Sequence, residues 1–334
     1  MYKMSYSVRN SIRYLVAIII ISIAFWGIHY TSDWEGYVRA FYNTDFSRDL
    51  AFSFLSNLFV KYGFDFRDLF HFHILLMAIL YSSLYKKIGI NIIYFALLTL
   101  IIGYVGMGNQ IRYYVAYPLT LIACFYYYER KFLYSLVCVV LAVMFHYTVF
   151  IIYVLFLLMN CIRFWNKKKQ FFLIIFLNIV IYFIMYRSNF MVENQYDSYK
   201  NVENTSSVMG GLFNLSPLLI PLYYMRKISN ADMTNHIIDF LFLLIASSLP
   251  LFLLSIYMQI FGSRMMMALL PVYFGYFTLI RQQTSSLYIR RNCIKAIRLT
   301  FIYFVFWRFI VPITTGVNGS VMMEMEMMIS SYYL

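Results

Sequence analysis

Apolar residues in this chain come in long unbroken runs, not in the alternating or three-to-four spacing of half-buried elements. A helix that crosses a bilayer needs about 20 mostly apolar residues, and runs of that order recur from one end to the other. Short polar stretches separate them, and none is long enough for a separate soluble domain. The pattern predicts an all-α, polytopic membrane helix bundle, a single transmembrane domain over residues 1–334. The first run, Ile12 to Ile28, follows Lys3, Arg9 and Arg13 as a signal peptide would. No small-x-small cleavage site follows it, so a retained first helix is expected.

Composition sharpens the class. Charged residues make up 12% of the chain and hydrophobic ones 62%, whereas a soluble domain carries about 25% charged residues. So few charges cannot cover a water-facing surface of this size. The net charge of +13 raises the question of nucleic acid. Its placement excludes that partner, because the basic residues sit in short clusters between apolar runs and form no continuous stripe or nucleic-acid motif. Cys124, Cys138, Cys161 and Cys293 are far apart and show no metal-ligand spacing, so packing or lipid-facing roles are expected.

The clusters are Lys3/Arg9/Arg13, Lys86/Lys87, Arg130/Lys131, Arg163/Lys167/Lys168/Lys169, Arg226/Lys227 and Arg281/Arg290/Arg291/Lys295/Arg298. Together they hold eighteen of the 27 Lys and Arg residues, so they mark the cytoplasmic turns. Each segment between clusters must then cross an even number of times. With a last helix near Thr300–Val311, interrupted by Arg308, about eleven crossings are expected, amino end inside and carboxyl end outside. The acidic residues Asp33, Glu35, Asp45, Asp49, Asp65, Asp68, Glu193, Asp197, Glu203, Glu324 and Glu326 all fall on outer segments. Two outer loops are long, residues 30–65 and 187–207.

Within the first loop, Ser47 can cap a helix that Gly63 closes, with Leu50, Phe54, Leu55, Leu58 and Tyr62 on one face. An amphipathic helix at the outer interface fits, and so does a helix packed on the bundle. Asp65-Phe-Arg-Asp68 reads as the capped start of the next spanning helix. The segment Phe132–Ile162 has cytoplasmic clusters on both sides and 31 residues. One helix of that length would be about 46 Å long, against a hydrocarbon core of about 30 Å, and it would break the parity. Two short helices are predicted instead, with His146 at the tip between them.

Ionisable residues at membrane depth cost several kcal/mol unless paired or hydrated, which makes them functional candidates. Arg112 follows Gly106-Met-Gly-Asn-Gln-Ile, where the glycines are expected to break one helix and Asn109 to cap the next. Gly262-Ser-Arg264 repeats the arrangement, with Ser263 as the cap, and Pro118 and Pro271 should bend both helices. A helix amino terminus disfavours a cation by about 0.3–1 kcal/mol and favours an anion. Two such ends, each with a guanidinium, suit a diphosphate. The bland account is that each arginine snorkels to the headgroups, and that His146 is a hydrogen-bonded structural histidine. His71 and His73 are expected at the interface, and Arg187 and Arg308 in structural pairs. Trp34, Tyr37 and Tyr42, in the acidic first loop, have flat rings that can stack on sugar faces.

Several of these residues carry a resemblance. Gly108-Asn-Gln-Ile-Arg112 followed by Ala116 resembles the motif before the fourth helix of EpsG/Wzy-type polysaccharide polymerases. Leu141-Ala-Val-Met-Phe-His146 resembles their later alanine-to-histidine motif. Asp33-x-x-x-Tyr37 and Ser263-Arg264 also fit, and the likeness runs over residues 30–280. The carboxyl tail matches nothing in the pattern.

The resemblance implies an O-antigen, capsule or exopolysaccharide repeat-unit polymerase with an architecture like the outer-face (GT-C-like) membrane glycosyltransferases. Such an enzyme sits in the bacterial inner membrane with its site facing the periplasm. It transfers the growing glycan from undecaprenyl diphosphate to the next lipid-linked repeat unit. The implied partners are the undecaprenyl-diphosphate-linked oligosaccharide as donor and acceptor, membrane lipid and a chain-length regulator protein. Arg112 and Arg264 would neutralise the leaving diphosphate, so no cofactor and no metal are expected. A base must take the acceptor proton, for which His146 titrates in a suitable range. Asp33 and Glu35 compete for that role, and Trp34 and Tyr37 are the candidate glycan contacts. Two other classes stay open. A flippase for the same lipid-linked sugar would share the arginines but tends to show paired repeats. A membrane O-acyltransferase would use an embedded histidine without needing two arginines.

Overall fold

The computed structural model describes residues 2–43, 49–165, 167–187, 208–228, 235–257, 262–307, 326 and 328–331, and among them every regular element is helical. Ser47, Arg308 and positions 188–207 of the second outer loop lie outside the described residues. The chain, expected as one transmembrane domain, divides into two compact units. One is Met1–Tyr153 with the described carboxyl-terminal residues, and the other is Val154–Trp307.

The first unit contains α1 (Tyr2–Trp26), α2 (Trp34–Tyr42), α3 (Leu50–Lys61), α4 (Phe66–Ile88), α5 (Ile92–Asn109), α6 (Ile111–Tyr128), α7 (Phe132–Phe145) and the start of α8 (Phe150–Cys161). The second contains the rest of α8, then α9 (Lys167–Arg187), α10 (Val208–Lys227), α11 (His236–Ser248), α12 (Phe252–Tyr257), α13 (Leu270–Gln283) and α14 (Leu287–Val305).

Helix length and side-chain exposure identify a membrane protein. Among the described residues, Val8–Trp26, Phe66–Ile88, Ile92–Asn109 and His236–Ile256 are long and apolar enough to cross a bilayer. The side chains left outside are apolar: Ile12, Leu15, Ile19 and Ile23 on α1, and Phe172, Phe176, Ile179 and Phe183 on α9. Their spacing is that of an outward helix face, the reverse of a soluble helix. Eleven crossings are expected, and these four helices are the ones long and apolar enough among the described residues. α7 and α8 have 14 and 12 residues, and of the basic residues expected in a turn before Thr300, Arg281 lies in the last turn of α13 while Arg290, Arg291, Lys295 and Arg298 lie inside α14, a continuous helix from Leu287.

Within the first unit the basic turns come together. Lys87 donates to the Tyr126 hydroxyl across 2.7 Å, which joins the end of α4 to the end of α6. Lys86 lies over the Tyr14 ring of α1, and the Tyr14 hydroxyl meets Ser83 at 2.9 Å. Since α4, α5, α6 and α7 follow one another through short turns, their other ends share the opposite level. Arg112 and His146 are on that level, as the parity of the basic clusters predicts.

Several local expectations hold. Asp65 accepts from the Asp68 N–H at 3.0 Å, and the Asp68 carboxylate accepts from the Asp65 N–H at 3.1 Å, a complete capping box on α4. Phe132–Ile162 is a helix, a break at His146 and a second helix; Ser135 near the start of α7 reaches Tyr153 of α8 at 2.8 Å, so the second folds back along the first. α3 combines its two alternatives: Ala51, Phe52 and Ser56 face the bundle while Leu50, Phe54, Leu58 and Tyr62 remain exposed.

Other expectations are corrected. The glycines before Arg112 do not break the helix, since α5 continues through Gly103, Gly106 and Gly108 to Asn109. The break is at Gln110, and Asn109 does not cap α6. The glycines serve close approach instead. The Tyr114 ring of α6 lies so near Gly106 that an added Cβ would sit 2.7 Å from its Cζ, and Met328 is packed against Gly108. Ser331 accepts the His29 N–H at 3.1 Å, so the carboxyl-terminal residues are tied to the end of α1. His73, expected at the interface, is fully buried, and its Nδ1 donates to the Leu69 carbonyl at 2.8 Å. His71 does lie at an edge, stacked on Trp26 at 4.6 Å. Pro118 sits inside α6, which stays continuous, and Pro271 occupies the first turn of α13, where it costs no hydrogen bond.

Gly106→Ala should lower thermal stability in detergent by the equivalent of about 1–3 kcal/mol, the usual cost of overpacking. Combined with Tyr114→Ala, the loss should be smaller than the sum of the two single losses, because the clash is gone. Strict additivity in the double-mutant cycle would show that α5 and α6 do not approach at Gly106.

Candidate functional site

The break at Gln110 reverses the chain within one residue, so α6 starts where α5 ends and Arg112 falls in its first turn. α7 returns antiparallel to α6 and ends at Phe145. His146 adopts an extended backbone (φ −162°, ψ 109°) before a single 3-10 turn, Tyr147–Val149. The start of α6 and the end of α7 therefore meet. Small side chains on α7 allow the approach: Ser135 and Ala142 are buried, and the Ser135 hydroxyl donates to the Ala123 carbonyl of α6 at 2.8 Å.

The residue that joins them is Asp49, the N-cap of α3, which is buried. One carboxylate oxygen accepts from Arg112 Nη1, and the other lies 3.6 Å from His146 Nδ1. An N-cap aspartate commonly bonds its own helix, a contact worth about 1 kcal/mol. Asp49 makes no such bond, and its carboxylate is turned toward Arg112 and His146. The side chains of Asp49, His146 and Arg112 are 6%, 13% and 20% exposed, so the ion pair is shielded from solvent.

Aromatic rings wall the cluster. The Arg112 guanidinium lies over the rings of Tyr37 (4.9 Å) and Phe52 (5.4 Å), a cation–π arrangement. Tyr113 and Tyr147 present their edges or faces to His146 at 5.5 and 5.8 Å. Behind them, His73 packs on Phe52 and on Phe145.

The other expected site residues fall into place around this core. Asp33, exposed at the N-cap of α2, is near enough for its charge to act on Arg112. Glu35 is exposed and accepts from the Tyr30 hydroxyl at 3.3 Å; its charge is the main reason that the Tyr30 phenol is held above its ordinary pKa. Trp34 spends its ring on Phe66 (4.8 Å) and Phe70 (5.2 Å) of α4. Tyr37 is buried between Phe66, Phe52 and Arg112, so it is a wall of the arginine's pocket and not an open sugar platform. Tyr42 is exposed.

Arg264 belongs to the second unit. The regular capped helix expected at Ser263 is instead one π-helical turn, Gly262–Met266, followed by a 3-10 turn, Met267–Leu269, before α13 begins. Arg264 is half-buried in that turn, and Gly262 packs closely on Leu215 and on the Ser255 carbonyl. π-turns within helices frequently mark functional positions.

Asp49 was visible in the sequence only as one acid among several on outer segments. The signal that singles it out is electrostatic: an arginine held at membrane depth needs a counter-charge, and only the outer-segment acids can supply one on its level.

A model of the EpsG family matches residues 12–321 of the chain. Comparison with curated proteins and with solved structures gave no match.

Removing one member of a shielded ion pair strands the other, at a cost of about 3–5 kcal/mol, whereas replacing both by apolar groups is often neutral. Asp49→Leu and Arg112→Met should therefore each lower the melting temperature in detergent markedly, and the double variant should recover most of the loss. A double variant less stable than either single one would show that the pair is not formed.

Proposed function

The chain belongs to the EpsG family, and we propose that it is a polysaccharide repeat-unit polymerase acting on undecaprenyl-diphosphate-linked substrates at the outer face of the bacterial inner membrane. Family membership supports a role in polysaccharide polymerisation in general. The observation that carries the finer assignment is the shielded Arg112–Asp49–His146 cluster, held at the end of the first unit opposite its basic turns.

In the proposed reaction the acceptor hydroxyl oxygen of a lipid-linked repeat unit attacks the anomeric carbon of the growing chain. The bond from that carbon to the diphosphate oxygen breaks, and its electron pair leaves on undecaprenyl diphosphate. The hydroxyl proton goes to a base. His146 is the base best supported, because it alone of the three candidates lies in the shielded cluster; Asp33 and Glu35 are exposed. Arg112 stabilises the departing diphosphate from the first turn of α6, where the helix end favours an anion. The exposed apolar face of α3, Leu50, Phe54 and Leu58, lies in the outer interface and continues from Asp49 toward the lipid that brings the substrate.

Purified protein in lipid nanodiscs, given a synthetic lipid-diphosphate repeat unit, should form lipid-linked oligomers. Arg112→Ala should slow elongation by about 10²–10³-fold, as loss of a donor to developing charge does. His146→Ala should slow it by about 10²–10⁴-fold, as loss of a general base does. In cells, a null strain should display single repeat units at the surface. A null strain that displays none points to translocation, and one with normal chain length but missing acyl groups points to an acyltransferase.

A further inference from the structure

We propose that Asp49 works by exchange: in the resting protein it neutralises Arg112, and an arriving lipid diphosphate takes the guanidinium and leaves the carboxylate to orient His146. The inference rests on the polymerase reading for its substrate, and it adds a positioning residue and the order in which the site is assembled.

The geometry supplies each part. One Asp49 oxygen is bonded to Arg112 and the other faces His146 Nδ1 at 3.6 Å, longer than a hydrogen bond. The carboxylate is free of its usual capping bond, so its helix does not fix its rotation. The guanidinium is held by the Tyr37 and Phe52 rings independently of Asp49, so it keeps its place when its counter-ion changes. A diphosphate is the stronger competitor, with more charge and more acceptor oxygens, and the first turn of α6 favours it.

Exchange has a chemical consequence. A carboxylate that closes on Nδ1 fixes the tautomer with the proton on Nδ1 and leaves Nε2 as the acceptor. The base is then competent only when the donor is in place. The acceptor hydroxyl proton passes to Nε2, and the resulting imidazolium is stabilised by Asp49. Among the described residues, the charged and titratable groups around His146 include Asp49 from α3, Arg112 and Tyr113 from α6, and Tyr147 from the turn beyond it. Behind these stand Tyr37 and Asp33 of α2, by way of Arg112, and His73 of α4, behind Phe145.

The test compares wild type with Asp49→Asn and Asp49→Glu in nanodiscs, using sugar-free undecaprenyl diphosphate for binding and a synthetic lipid-linked repeat unit for turnover. Loss of a competing anion should tighten binding of undecaprenyl diphosphate to Asp49→Asn by about fivefold or more. Its kcat should fall by about tenfold or more. The acid limb of its kcat–pH profile should move to lower pH, because the charge that favours the imidazolium is gone. Asp49→Glu should keep wild-type binding and most of the kcat. If Asp49→Asn does not fold, Asp49→Ala with and without formate replaces it, and formate should restore kcat while weakening lipid binding. Equal or weaker binding of undecaprenyl diphosphate by the neutral variant overturns the exchange. So does an unmoved acid limb, which is what a merely structural carboxylate would give. If wild type binds undecaprenyl diphosphate and elongates nothing, the polymerase assignment fails, and the binding comparison still decides the exchange.

Discussion

A guanidinium and a carboxylate placed among aromatic rings at the end of a membrane bundle cannot be left apart. Each would cost several kcal/mol to bury alone, so wherever Arg112 goes, Asp49 must follow. That requirement organises the end of the first unit opposite its basic turns. It draws the start of α3 down onto α6 and α7, turns the Asp49 carboxylate away from its own helix, and brings it beside His146. Tyr37 and Phe52 complete the enclosure, so α2 and α3 are walls of a site and not a loose outer loop.

The same pair changes the electrostatic character of the site. Two arginines at helix starts suggest a cationic pocket waiting for an anion. In the first unit the structure holds a neutralised pair instead, with Asp33 close enough to add to the negative side. An anionic substrate must displace a carboxylate, and the displaced carboxylate has a second partner within 3.6 Å. Binding and activation are thereby joined through one side chain.

Much of the fold was legible because membranes constrain sequences strongly. In the first unit the basic residue at the end of α4 meets the end of α6, the length of Phe132–Ile162 required a break at its middle, and Asp65 and Asp68 announced the start of α4. What stayed hidden depends on contacts distant in sequence. Gly106 and Gly108 look like helix breakers in isolation, and only the arrival of Tyr114 and Met328 shows that they make room. Trp34 and Tyr37 look like sugar platforms until Phe66 and Phe70 pack against the one and Arg112 lies over the other. Asp49 and Arg112 are 63 positions apart, and no local pattern links an acid in a polar loop to an arginine in a later helix. Arg112 and His146 were recognisable because each interrupts an apolar context, and Asp49 was not because it interrupts a polar one.

The most direct measurement is a structure of the protein in a lipid nanodisc with undecaprenyl diphosphate bound. The predicted result is diphosphate oxygens at about 3 Å from the Arg112 guanidinium, with Asp49 released from it and within hydrogen-bond distance of His146 Nδ1. An intact Arg112–Asp49 pair with the diphosphate bound elsewhere would contradict the account.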